Sequence, residues 1–220
     1  LTKWRYICRR VGALSNFLLF AKAAGSGEAP ENTCEAVDRA VQLEAPPNVE
    51  VAIEVDLRLS ADAGLVALHD ARLERTTDGR GLARQLDLRE LRGLVAGPDG
   101  QRVPALSDVL DAALESPVLL ELHDDDVCAA TTIHRELQRR SSRQRERLCV
   151  ASEHHRVVNA LRKLDPTLRT AATKREAWAM LVLGRLGLGQ FAPRGHVWVL
   201  PERHAGLHVV TPQFVEQARR

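Results

Sequence analysis

The sequence predicts an α/β fold built on a parallel sheet, and three observations carry the prediction. From residue 16 onward, short apolar runs alternate with segments of helical period. The run Pro117 to Leu122 (PVLLEL) is apolar at successive positions, as expected of a parallel strand covered on both faces. Caps and breakers punctuate the units: Asn32 or Thr33 opens one helix, Ser107 another, and Thr211 with Pro212 the last. Six strands of this kind centre on Phe17, Val55, Leu120, Val150, Thr170 and Val199.

Taken in order, Asn16 to Phe20 is a short buried strand, followed by a Gly25-Ser26-Gly27 loop. A helix then runs to about Leu43, with Ala36, Val37, Ala40 and Val41 at helical spacing. Pro46 and Pro47 break it. After the stretch 48–81, described below, Leu86 to Leu94 forms a short helix with Asp87 near its start, and Gly97 to Gly100 a loop. Ser107 caps an amphipathic helix whose stripe is Val109, Leu110, Ala113 and Leu114. The strand ending at Glu121 comes next. The remaining units are helix Asp125 to Arg139, strand Leu148 to Ser152, helix Glu153 to Leu164, strand Leu168 to Ala172, helix Lys174 to Leu183 and strand His196 to Leu200. The arginines between 139 and 147 read as a solvated helix end and loop.

The chemistry concentrates in residues 48–81. Val51, Ile53 and Val55 alternate with Ala52, Glu54 and Asp56, so a strand's two-residue period sends Glu54 and Asp56 out of one face. Leu65 to Leu68 follows after a turn too short for a parallel crossover. The return is therefore antiparallel, and it carries His69 and Asp70 back towards the carboxylates. Carboxylates about 5–7 Å apart repel unless a counter-charge lies between them, and a divalent metal would supply it. The same row, continued by Arg58, also describes an ordinary solvated strand face. Spacing alone leaves both readings open.

The order E-x-D-x-R-L-S-x-D (Glu54, Asp56, Arg58, Leu59, Ser60, Asp62), an apolar strand ending in His69-Asp70, then R-T-T-x-G-x-G (Arg75, Thr76, Thr77, Gly79, Gly81) resembles the core of the glycerophosphodiester phosphodiesterase family. The likeness spans about Phe17 to Arg219. It implies a TIM (β/α)₈-type barrel, of which six of the eight strands are present. The family's later W-T-x-N and I-T-D motifs are missing. The expectation is an N-terminal extension at 1–15 and a C-terminally truncated barrel domain at 16–220 with two exposed sheet edges.

The resemblance also implies a site. Glu54, Asp56 and Glu121 would hold one Mg²⁺ or Ca²⁺, an all-oxygen set suited to a hard cation. His69 would be a general acid or base, since an imidazole exchanges protons near neutral pH. Glu31 falls in a P-E-N-T turn near the metal and His123 on the substrate side; Trp198, read from its place at the sixth strand's end and not from the resemblance, either lines a substrate mouth or fills the core. The implied substrate is a small glycerophosphodiester, hydrolysed to glycerol 3-phosphate and an alcohol. The first strand departs from the family pattern: where it has histidine and arginine, this chain has Lys22 and Ala23, and His123 stands in place of a lysine. Lys22 is a poor base at pH 7, although it can neutralise a phosphate. A catalytically silent member that binds metal or diester without turnover is the alternative, and a related barrel enzyme acting on phospholipid head groups a third reading.

Composition bounds the rest. With 220 residues, 45% of them hydrophobic, the chain can bury one substantial core. Basic residues (31) nearly balance acidic ones (29), so no global field favours nucleic acid. Cys8, Cys34, Cys128 and Cys149 are scattered, which argues against a zinc ribbon. No run is long enough to span a membrane. The basic start followed by VGALSNFLLFAKAAG imitates a leader. A cytoplasmic place is favoured, with secretion or the periplasm left open.

Overall fold

A computed structural model describes residues 4–8, 17–27, 29–45, 47, 49–185, 194–201, 203–204, 207–208, 211 and 214. In chain order its elements are β1 (Trp4–Cys8), β2 (Phe17–Ala21), α1 (Cys34–Val41), β3 (Val49–Leu59), β4 (Leu65–Ala67), α2 (Leu88–Gly93), β5 (Val95–Ala96), β6 (Gln101–Arg102), α3 (Leu106–Ala112) and β7 (Val118–Leu122). There follow α4 (Val127–Gln138), α5 (Ser142–Arg145), β8 (Leu148–Ser152), α6 (His155–Leu164), β9 (Arg169–Thr170), α7 (Lys174–Arg185), β10 (Val197–Pro201), β11 (Arg203–His204) and β12 (Leu207–His208).

The main sheet is parallel in the order β2-β3-β7-β8-β9, and a parallel bridge from Ala171 to Val197 leads on to β10. All six expected strands are present in sequence order, the progression of a barrel wall. Strand period two then separates two layers. Ile53, Val55, Leu57, Val118, Leu120, Leu122 and Val150 face outward into a core shared with Ala36, Val37, Val109, Ile133, Val157 and Leu161 of the covering helices. The alternate residues Leu119, Cys149, Ala151, Ala171 and Val197 form an inner cluster. Glu54, Asp56 and Glu121 share that inward phase, so the outer packing fixes where the carboxylates go.

β3 is unusually long because it serves two partnerships. Its middle pairs in parallel with β2 and, as far as Leu57, with β7, while Leu57, Arg58 and Leu59 pair with β4, antiparallel as the short turn requires. The excursion has its own small core of Val66, Leu68, Leu73, Ala83, Leu91, Ala96 and Val103.

Caps follow local chemistry. Thr33 accepts from the Ala36 amide at the start of α1, and Asp87 and Glu90 form a reciprocal box at α2. Ser107 is not the cap expected for α3: Ala105 holds that position, and the Asp108 carboxylate accepts from its amide. The Arg139–Arg147 segment contains the short helix α5, and its arginines pair with Asp111, Glu115, Glu136 and Glu50. Thr211 Oγ1 accepts from the Phe214 amide, while Pro212 and most of the expected last helix lie outside the described residues.

The expectation of two open edges is corrected at β10, where β1 pairs antiparallel from Trp4–Pro201 to Cys8–Val197 and also lies beside β2. An edge strand presents unpaired amides and carbonyls, and the segment expected as a mere extension uses them. Part of the leader-like stretch, Phe17–Ala21, is itself the wall strand β2.

Candidate active site

The site sits at the C-terminal ends of β2, β3 and β7, where barrel chemistry is usually found. Asp56 and Glu121 are direct register partners across β3 and β7, and Glu54 lies one two-residue step before Asp56. Adjacent strands are about 4.7–4.9 Å apart, and ligand-capable oxygens of the three carboxylates lie within 4.8 Å of one another. Glu54 is fully buried and Asp56 only 3% exposed, which removes the solvated-row reading.

Each carboxylate is differently held. Glu54 Oε2 accepts from the Ala23 amide at 3.2 Å, while buried Oε1 has no hydrogen-bond partner. Lys22 Nζ stands 3.4 Å from that oxygen, an ion pair between a half-exposed ammonium and a fully buried carboxylate. Asp56 is seated by Asn32, whose Nδ2 donates to Oδ2 at 2.9 Å and whose Oδ1 accepts from the Asp56 amide at 3.0 Å. His123 Nε2 lies 2.7 Å from Asp56 Oδ1.

Burial raises the pKa of Glu54, partly offset by Lys22 and reinforced by Asp56. Burial first, then the charge of Glu54, pushes Glu121 up to about 8. Burial also works against ionised Asp56, but hydrogen bonds from His123 and Asn32 outweigh it and leave its pKa lowered. Two carboxylates therefore resist ionising together beside a third that stays charged. A buried oxygen that accepts no hydrogen bond and an all-oxygen donor set of this kind fit a hard divalent cation.

The β4 return brings His69 to the same place, as expected: the Leu68 amide donates to the Asp56 carbonyl at 3.0 Å. The His69 and His123 rings meet edge to face with centroids 4.9 Å apart. Asp70 accepts from His69 Nδ1 at 2.7 Å and is held by Arg75, which also grips Glu31 with two hydrogen bonds of 2.7 and 2.8 Å. Hydrogen bonding to Arg75 lowers Asp70 to about 2.

Two expectations change. Glu31 pairs with Arg75 and is absent from the carboxylate set, because the turn aims the next residue, Asn32, at Asp56. Asn32 has φ 57°, a conformation asparagine tolerates better than most residues. Trp198 belongs in the core rather than at a substrate mouth: it is fully buried, packed edge to face on Phe214 beside Ala177 and Met180. Asp124 and Asp126 also serve the scaffold, Asp124 binding Arg58 and the Leu59 amide and Asp126 capping α4.

Sequence reasoning read Asn32 only as a candidate helix cap and gave Arg58 and Arg75 no role in the site, although all three lie in the quoted motifs. Arg58 reaches the carbonyls of His69 at 2.9 Å and His123 at 3.1 Å, tying the two histidine-bearing segments together.

Comparison with known proteins agrees with this architecture. The model of the glycerophosphoryl diester phosphodiesterase family matches residues 24–220. The YhdW protein of Bacillus subtilis, itself assigned to the glycerophosphodiester phosphodiesterases, is 34% identical over 74% of this chain and 68% of its own length. A glycerophosphodiester phosphodiesterase of Caldanaerobacter subterraneus is 27% identical over 69% of this chain, which spans 64% of that relative. Among solved structures, one of an Agrobacterium tumefaciens glycerophosphodiester phosphodiesterase superposes with TM-score 0.58 at 27% identity, covering 71% of this chain and 66% of its own. An Oleispira antarctica phosphodiesterase, solved in complex with its product sn-glycerol-3-phosphate, superposes with TM-score 0.60 at 24% identity, covering 70% and 64%. The fold is that of the family's barrels, and the chain belongs to the glycerophosphoryl diester phosphodiesterase family.

Proposed function

We propose that this chain hydrolyses a glycerophosphodiester to glycerol 3-phosphate and an alcohol, with one Mg²⁺ or Ca²⁺ held by Glu54, Asp56 and Glu121. The observation that carries the reading is the convergence of buried Glu54 and Asp56 with half-buried Glu121 beside His69 at the strand ends. When bound, a divalent cation supplies positive charge to the phosphoryl oxygens and to the glycerol hydroxyl.

The chain's own residues supply the rest. Asn32 fixes the rotamer of Asp56 from both sides. Ionised Asp70 can only accept, so His69 carries its proton on Nδ1 and presents the Nε2 lone pair. His69 is about half exposed, open to a diester, and its proton transfer to or from the reacting oxygens typically contributes about 10² to 10⁴ in rate. Lys22, about half exposed, serves as a point charge for phosphate. The His123 ring packs edge to face on His69, with centroids 4.9 Å apart.

One observation favours a second reading, in which the chain binds metal or diester without turnover. Lys22, where the family has its first histidine, is committed to an ion pair with Glu54, so the strand contributes no imidazole. Release of glycerol 3-phosphate from glycerophosphocholine separates the two. The hydrolytic reading expects release that requires Mg²⁺ or Ca²⁺ and disappears in Glu54→Ala. Calorimetric cation binding without product supports the silent reading, and metal-independent release contradicts both.

A further inference from the structure

We propose that Asp56, His69 and His123 form a second cation site, for a transition-metal ion of the Zn²⁺ or Co²⁺ class, that shares Asp56 with the all-oxygen set. The proposal stands whether or not the chain turns over a diester. One ligand-capable atom from each of these residues lies within 4.8 Å of the other two. The imidazoles meet edge to face at 61° with centroids 4.9 Å apart, so two nitrogen donors stand together beside Asp56. Two nitrogens and one oxygen make a donor set that favours Zn²⁺, Co²⁺ or Cu²⁺ over Mg²⁺ or Ca²⁺. The neighbouring carboxylates favour the opposite class.

The support behind His69 points the same way. Metal-binding histidines almost always donate their other ring N–H to a carboxylate or carbonyl, which fixes the tautomer. His69 has this arrangement: Nδ1 lies 2.7 Å from Asp70, Asp70 is gripped by Arg75, and Arg75 is anchored on Glu31. His69 Nε2 therefore carries a lone pair directed by three successive side chains. His123 is held through its backbone, its carbonyl accepting from Arg58 at 3.1 Å with His154 Nε2 at 3.3 Å. Its ring already lies 2.7 Å from Asp56. An incoming ion replaces the proton between His123 Nε2 and Asp56 Oδ1, and that proton leaves to solvent. Asp56 Oδ2 keeps its bond from Asn32 throughout. Half-exposed His69 leaves a path for entry.

Co²⁺ is the probe, because its visible absorption intensifies when water is exchanged for nitrogen ligands in a four- or five-coordinate site. Titrated into the full chain presaturated with Mg²⁺, Co²⁺ is expected to develop such a band that saturates at an equimolar amount. The band should be lost in His69→Gln and in His123→Gln and kept in Glu121→Gln, whereas calorimetric Mg²⁺ binding should fail in Glu121→Gln and survive in His69→Gln. His69 is partly exposed, so that variant tests the site without disturbing the core, and its retained Mg²⁺ binding reports an intact fold. A spectrum no stronger than aqueous Co²⁺, or a band that survives both histidine substitutions, overturns the proposal. A band that needs Glu121 does the same, since it places Co²⁺ in the carboxylate set.

Discussion

Removing the Lys22 ammonium should tighten binding of a divalent cation to the carboxylates. Its Nζ lies 3.4 Å from Glu54 Oε1. At an effective dielectric constant of about 20, the bare attraction across that distance is about 5 kcal/mol. Lys22 is 52% exposed, however, and water screens it. Exposed pairs deliver about 0.2–1 kcal/mol, and the full burial of Glu54 argues for the upper end, about 1 kcal/mol. An arriving cation must weaken that pair and sit near a like charge. Lys22→Met therefore lowers the Kd for Mg²⁺ or Ca²⁺ by about fivefold, at 1.4 kcal/mol per factor of ten. Calorimetry is best done well above pH 8, where Glu121, pushed up to about 8, is largely ionised; Lys22 lowers both Glu54 and Glu121, so at lower pH its removal adds protons that mask the change. An unchanged or weaker affinity in a folded Lys22→Met protein refutes the reasoning, because the ammonium would then be no competitor for Glu54.

Further outcomes follow from the same geometry. Glu121 has its pKa raised from 4.5 to about 8, so between those values the folded cation-free protein binds more protons than the unfolded chain, and its stability falls as pH rises. Melting temperatures across that window should decline with pH, and saturating Mg²⁺, which selects the ionised carboxylates, should reduce or reverse the slope; a flat cation-free profile would count against the raised value. Asn32→Ala leaves the Asp56 amide and one carboxylate oxygen without their partners in a buried place. It should cost about 1–3 kcal/mol in denaturant unfolding and weaken cation binding as well. Lys22→His combined with Ala23→Arg should raise phosphodiesterase turnover, by up to about 10² to 10⁴ if proton transfer is what the first strand lacks; no increase in steady-state release of glycerol 3-phosphate would sink that explanation.

Much of this was legible before any coordinates. The six parallel strands and most of their covering helices follow from apolar periodicity, because residues buried by helices on one face and by a barrel interior on the other must be apolar at nearly every position. The alternation Val51, Ile53, Val55 against Glu54, Asp56 fixes which side chains share a face, since a strand's period admits no other arrangement. The antiparallel return carrying His69 follows from a linker too short to cross over.

Other features required the folded chain. Whether the Glu54-Asp56 face met water or the barrel interior depends on strands far apart in sequence, and only the register of β3 with β7 sets Asp56 directly opposite Glu121. The exchange of roles between Glu31 and Asn32 turns on one backbone conformation at φ 57°, which side-chain identity does not specify. Trp198 could equally have lined a mouth or filled a core, and packing against Phe214 decided the matter. Local sequence determined the period and polarity of each element, and hence which residues face the same way. Long-range pairing decided which of those faces meet, because charge neutralisation, burial and metal geometry are properties of groups brought together from distant parts of the chain.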